Sequence, residues 1–181
     1  DWTPTPSYTT DIVIGSIDAP VTIFEYASLT CPYCSRFQNE EWPEFKERWV
    51  DTGKAKLIFR HLPLDQSALA GALATSCLPH DRREEFVQTL FSSIDVWAPA
   101  QNIISPIREV MGDNYDMTPI MQCMSEDGFP ELVMEPGNEA VNGGIQSTPS
   151  FVIDGHILSG FRKAADLGKY VDDRLADLVL Q

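Results

Sequence analysis

The chain reads as an α/β protein: a mixed central sheet flanked by helices and interrupted by an all-helical insertion. Three observations predict this. A β-branched and aromatic run, Val21 to Tyr26, is followed by a helical pattern from Ser35 to Val50 and a second buried run, Ala55 to Arg60. Between Asp65 and Asn142 no stretch has strand character. Strand character then returns at Ser150–Ile153, turns at Asp154-Gly155, and leads into an amphipathic helix.

Taken in order, residues 1–11 read as an irregular arm, and Gly15, Asp18 and Pro20 mark turns around a short edge strand. Val21-Thr22-Ile23-Phe24-Glu25-Tyr26 is the first central strand. In the helix after it, Phe37, Phe45 and Trp49 share one face, and Pro43 is expected to kink it or cost one hydrogen bond. Asp51-Thr52-Gly53 ends that helix, and Ala55–Arg60 makes the second strand, closed by Pro63. Strand, helix and parallel strand form a βαβ unit with a right-handed crossover. Helical segments follow at Ala68–Ala74, Arg82–Ser92, Ala100–Met111, Thr118–Ser125 and Phe129–Val141, divided by Pro and Gly signals. Ile157-Leu158-Ser159 completes the hairpin. Leu167, Val171, Leu175 and Leu178 mark the buried face of the last helix.

Composition narrows the class of protein. A hydrophobic content of 43% over 181 residues allows a sizeable core. A formal net charge of −14 argues against nucleic acid and anionic membrane surfaces as partners. No apolar run approaches a membrane span. The polar, proline-rich start, Asp1 to Pro6, is no signal peptide; it is expected to be a mature N-terminus or the tail of a linker whose targeting segment has been removed.

Chemistry concentrates at Cys31-Pro32-Tyr33-Cys34, placed where the first strand gives way to a helix. Thr30 is the expected N-cap, and Pro32 fits the first turn because its missing N–H has no partner there anyway. A Cys31 thiolate faces unpaired backbone N–H groups and the positive end of the helix dipole, which lowers its pKa. Cys34, one turn further in, is more shielded. An exposed nucleophile beside a protected resolving thiol is what thiol–disulfide exchange needs. The competing reading, half of a zinc site, lacks a second ligand pair, because Cys77 and Cys123 lie far apart. The number of cysteines favours an oxidising compartment. Cys77 and Cys123 are expected to form a structural disulfide within the insertion; two free buried thiols are the alternative, since spacing does not fix their distance. His61, His80 and His156 read as loop or surface histidines outside ligand spacing, so no metal is expected.

Three motifs in this order resemble the DsbA-like branch of the thioredoxin superfamily over nearly the whole chain: Phe24 to Cys34, then Phe59-Arg60-His61-Leu62-Pro63-Leu64, then Gly144 to Gly155 followed by Ser159-Gly160. The resemblance implies a thioredoxin fold made of residues 1–62 and 143–181, with residues 63–142 as an inserted helical domain. It implies an extracytoplasmic, periplasmic thiol:disulfide oxidoreductase without a cofactor. Cys31 is then the nucleophile and Cys34 the resolving thiol. Thr148-Pro149 matches the family's cis-proline position, where the Thr148 backbone pairs with an extended substrate segment, and Pro32 and Tyr33 join it in contacting substrate. Glu25 matches an acidic position near the resolving cysteine, and Arg60 matches its basic partner, so the two are expected to form a buried pair, either as a structural ion pair or with a proton-handling role. The dipeptide between the cysteines departs from the family: Pro-Tyr is the glutaredoxin pair, where the family's best-known one is Pro-His. The implied partners are reduced or unfolded secreted proteins and a membrane oxidase that restores the disulfide. Isomerases of this superfamily use a separate dimerisation module, and no such segment is visible in this sequence; the resemblance implies a monomer. A disulfide isomerase or reductase on the same fold, and a non-redox chaperone or binding module, are the alternative functions.

Overall fold

The computed structural model describes residues 1–181. A five-stranded sheet crosses the protein in the order β1-β3-β2-β4-β5, with β1 at Ile12–Ile14, β2 at Val21–Ala27, β3 at Ala55–His61, β4 at Ser150–Ile153 and β5 at His156–Ser159. β2 and β3 run parallel, as the βαβ reading requires, and the other three pairings are antiparallel. The β4–β5 connection is the Asp154-Gly155 turn. Both residues have positive φ, 51° and 80°, the geometry a tight hairpin demands and the reason glycine stands second.

The crossover from β2 to β3 is one helical run with two wide turns. α1 (Pro32–Arg36) leads into a π-helical turn at Phe37–Glu41, then α2 (Trp42–Phe45), then a second π turn at Lys46–Val50. Pro43 therefore neither breaks nor ends the helix. It occupies the first turn of α2, where a missing N–H costs least, and the π turn before it re-spaces the hydrogen bonds. Between β3 and β4 the chain is helical: α3 (Gln66–Cys77), α4 (His80–Ser92), α5 (Ile94–Ala100), α6 (Ile104–Met111), α7 (Thr118–Met124) and α8 (Phe129–Gly143). The expected helix from Ala100 to Met111 begins only at Ile104: Ala100 ends α5, and Gln101 after it adopts a left-handed φ of 51°. α9 (Ala164–Val179) closes the chain and packs on α2 and β2.

The two faces of the sheet bury different things. Ile23, Leu57, Phe59, Phe151 and Ile153 join Phe37, Trp42, Phe45, Phe86, Leu90 and Trp97 in one continuous core that spans sheet and helices. On the other face Tyr26 and Val152 pack with Ala140 and Ile145 near α8, and Trp2 of the N-terminal arm closes over them. The strand alternation of two decides which residue reaches which face. Cys77 at the end of α3 and Cys123 in α7 are joined by a disulfide with an S–S distance of 2.06 Å.

Candidate active site

β2 ends at Ala27 and delivers the cysteine motif to the rim of the sheet. The N-cap of α1 is Cys31 itself, one residue beyond the expected Thr30: its φ and ψ are extended, and its sulfur accepts the Cys34 backbone N–H at 3.4 Å. Thr30 instead donates its hydroxyl to Asp65 Oδ2 at 2.8 Å, while Asp65 Oδ1 accepts the Ala68 N–H as the N-cap of α3. Ser28 Oγ accepts the Leu64 N–H at 3.3 Å. The loop carrying the cysteines is therefore tied to the start of the helical segment.

Cys31 is half-buried and Cys34 wholly buried, and both are free thiols. The Cys31 Sγ also lies 3.4 Å from the carbonyl oxygen of Thr148. The peptide joining Thr148 to Pro149 is cis, and the Pro149 carbonyl accepts the Gly160 N–H at 2.8 Å, which fixes this segment beside the sulfur. Pro32 and Tyr33 are exposed next to Cys31. Hydrogen bonding from the Cys34 thiol lowers the Cys31 pKa most; Thr148 and the Cys34 and Tyr33 backbone N–H groups add to it against the opposing effect of burial, and the result is about 6. Cys34 moves the other way. Burial raises its pKa, and the hydrogen bond it gives Cys31 and the charge of Cys31 push it further. At neutral pH the pair holds one proton, on Cys34, with the charge on the more accessible sulfur.

Glu25 is buried in β2, on the core face of the sheet, and its Oε2 has no hydrogen-bond partner. Burial, reinforced by the Cys31 charge, lifts its pKa to about 8, so the carboxyl carries a proton at neutral pH. The expected pair with Arg60 does not form. In the parallel β2–β3 ladder Glu25 is in register with Phe59, and Arg60 with Tyr26. Neighbours in register share a face, so Arg60 projects to the side opposite Glu25. There it makes two bonds to Asp11, at 2.8 and 3.0 Å, and donates to Tyr26 Oη at 3.2 Å and the Thr5 carbonyl at 2.6 Å. Tyr8 and Phe24 lie against its guanidinium. Arg60 anchors the N-terminal arm and does not touch the cysteines.

Sequence reasoning also misplaced His61. It is no loop residue but the buried end of β3, packed edge-on to Phe59, with neither ring nitrogen partnered. Burial, with the charge of Arg83, lowers its pKa to about 3 and keeps it neutral. The signal was present, because His61 continues the inward alternation of Leu57 and Phe59. No group of three or more His, Cys, Asp or Glu side chains is arranged to hold a metal ion, and no helix is long and apolar enough to cross a membrane.

Comparison with known proteins agrees with this geometry. The family model described as thioredoxin matches residues 7–173. A Rickettsia bellii protein named as a protein-disulfide oxidoreductase is 27% identical over 156 residues, 80% of this chain and 57% of that protein. The chain thus spans little more than half the length of that relative. The disulfide bond formation protein D of Bacillus cereus is 23% identical, over 88% of this chain and 79% of its own. Among solved structures, alpha-DsbA1 of Wolbachia pipientis superposes with a TM-score of 0.83 at 28% identity, covering 98% of this chain and 96% of that one. A Cys-x-x-Cys at a strand-to-helix junction, the sheet that carries it and these relatives agree: the chain belongs to the thioredoxin family and has the fold of its DsbA-like members.

Proposed function

We propose that this protein works outside the cytoplasm, in a periplasm or an equivalent oxidising compartment, and donates a Cys31–Cys34 disulfide to secreted proteins as they fold. The observation that carries the reading is the asymmetry of the pair: a half-buried sulfur with a lowered pKa at the helix start, above a wholly buried partner with a raised one. A substrate thiolate attacks Cys31 Sγ, the Cys31–Cys34 bond breaks, and its electron pair goes to Cys34 Sγ, which takes up a proton. A second substrate thiolate then displaces Cys31 from the mixed disulfide. Cys31 is the better leaving group because its thiolate is stabilised, and this favours handing the disulfide on. Glu25, buried and protonated, is the proton source for Cys34.

In this reading Pro32, Tyr33, Thr148 and Pro149 surround the sulfur that substrate meets, and the Thr148 backbone holds an extended substrate segment. Residues 1–62 and 143–181 form the thioredoxin-like domain, and residues 63–142, which contribute α3 to α8, its helical insertion. The protein acts as a monomer, and a membrane-bound oxidase restores the disulfide.

The test is a reduction-potential titration against glutathione, paired with oxidative refolding of a reduced protein and isomerisation of a scrambled one. The reading predicts a potential more oxidising than that of glutathione and faster refolding of the reduced substrate. A potential below that of glutathione, or activity on the scrambled substrate alone, would favour the reductase or isomerase reading.

A further inference from the structure

Behind the cysteines, the core face of the sheet encloses a small cavity. Four polar side chains line it: Glu25 from β2, Gln38 from the first π turn, Trp42 from α2 and Glu84 from α4. The remaining wall is apolar. The cavity leaves the centre of a water molecule about 10 Å³, close to what one molecule needs, and a buried water also needs two to four polar partners. Two such partners stand waiting. Glu25 Oε2 and Trp42 Nε1 are both buried with no hydrogen bond, an arrangement that costs stability unless something satisfies it.

Glu84 lines this cavity and also a second, open one. The second is a surface groove of 520 Å³ between the N-terminal arm and α4, bordered by Tyr8, Asp11, His80 and Asp81. Glu84 is half-buried and makes no ion pair. Burial raises its pKa, Lys46 of the second π turn opposes that, and Asp51 adds to it. A carboxyl group thus stands at the wall between the buried Glu25 and bulk water.

We propose that Glu84 is the outer station of a proton relay, in which a proton passes between solvent and Glu25 through Glu84 and one water held in the cavity. The proposal rests on the reading of Glu25 as proton source for Cys34 and assigns its supply. When the Cys31–Cys34 bond breaks, Cys34 takes the proton of Glu25 and leaves a carboxylate. The cavity water passes a proton to that carboxylate and takes one from the Glu84 carboxyl, which recovers its own from the groove. Reoxidation runs the chain in reverse: Cys34 returns its proton to Glu25, and the proton leaves by Glu84. The charged and titratable groups facing the path are Cys31 and Cys34 at the inner end, with Lys46, Asp51, Tyr8, Asp11, His80 and Asp81 around the outer one.

The relay is tested on the full chain in its oxidised form, by releasing a proton with a laser flash near pH 8 and following the buried carboxyl C=O stretch by time-resolved infrared. Loss of the band in Glu25→Gln assigns it to Glu25. Glu84→Gln is expected to slow protonation about tenfold, less than the ~100-fold or more that removing a direct general acid costs. The midpoint of the titration should stay in place, because burial, not Glu84, sets it once Cys31 is held in the disulfide. Glu84→Asp, which keeps an acid on a shorter side chain, should recover part of the rate. Glu85→Gln, on the exposed side of α4, should leave it unchanged. If the band belongs to Glu25 and Glu84→Gln protonates it as fast as the parent protein, the relay is wrong while the role of Glu25 stands. If the band survives Glu25→Gln, the reading of Glu25 fails, and the relay with it.

Discussion

Glu25 and Arg60 lie on hydrogen-bonded neighbouring strands and point to opposite faces of the sheet. The register Tyr26↔Arg60 places the guanidinium beside Tyr26, over the N-terminal arm, and leaves Glu25 against the core under the cysteines. This one-residue offset separates two jobs that a pair of buried charges could otherwise have shared. Glu25 keeps a lone proton near Cys34. Arg60 closes a network of Asp11, Thr5 and Tyr26 that holds residues 1–11 across the sheet.

Arg60→Met is therefore expected to damage the fold and spare the chemistry. The Arg60 side chain is fully buried and that of Asp11 only 4% exposed, so removing the guanidinium strands a buried carboxylate. Breaking such a pair from one side typically costs about 3–5 kcal/mol. Urea unfolding should show that loss, and limited proteolysis should cut the released arm first. The pH at which Cys31 is half alkylated should not move. A shift in that midpoint would mean that Arg60 acts on the cysteines after all.

Much of this was legible in the sequence, because alternation of two and the turn signals fix which strands exist and where they end. Val21–Ala27, Ala55–His61 and the Asp154-Gly155 hairpin follow from local pattern. The Glu25–Arg60 pairing failed because strand register is not local. A parallel ladder has no turn to set its offset, and two charged residues on adjacent buried strands look alike whether they share a face or not. The helix over residues 32–50 was legible as apolar spacing, but its two π turns were not, since the spacing of Phe37, Phe45 and Trp49 is compatible with either winding. Trp42 and Glu84 gave no signal at all. They share a cavity with Glu25 only because α2 and α4 bring them together.

The pH dependence of stability should identify Glu25 independently of catalysis. Its pKa rises from the ordinary carboxylate value of 4.5 to about 8 on folding. The native state therefore binds this proton more tightly than the unfolded chain. The contribution is fully present below pH 4.5 and is lost as pH rises toward 8. At about 1.4 kcal/mol per pH unit, the loss by pH 7 is on the order of 3 kcal/mol. Glu25→Gln carries no titrating proton and should lack the decline. Unfolding of the oxidised form, in which Cys31 carries no charge and only burial raises the Glu25 pKa, should show the larger part of that decline: similar stabilities at pH 4.5 and a more stable variant at pH 7–8. Parallel curves for the two proteins would show that Glu25 ionises normally.

The Cys77–Cys123 disulfide should act on stability alone. It links α3 to α7 across 46 residues, for which the loop-entropy relation gives about 4 kcal/mol. The double variant Cys77→Ser, Cys123→Ser is expected to unfold at correspondingly lower urea while keeping the Cys31 alkylation midpoint, because neither residue contacts the Cys31–Thr148 segment. A changed midpoint would reveal coupling between the helical segment and the active site that these contacts do not provide.

Tyr33 should set how strongly the protein oxidises. Its side chain is 58% exposed beside Cys31, and only its backbone N–H contributes to lowering the Cys31 pKa to about 6. Tyrosine carries no charge near neutral pH, whereas a histidine in its place brings a ring N–H and a partial positive charge to the thiolate. The charged form of Cys31 is the reduced form, so stabilising it favours reduction of the disulfide and makes the protein a stronger oxidant; DsbA is itself the standing example of that linkage. Tyr33→His is accordingly expected to move the Cys31 alkylation midpoint below 6 and to raise the reduction potential, by about 30 mV for each tenfold gain in the equilibrium with glutathione. Tyr33→Phe, which retains the ring and loses only the hydroxyl, should leave both near the parent values. The two measurements must move together: a lower midpoint with an unchanged potential would separate thiolate stability from oxidising power in this site. A more reducing Tyr33→His protein would overturn the assignment of Tyr33.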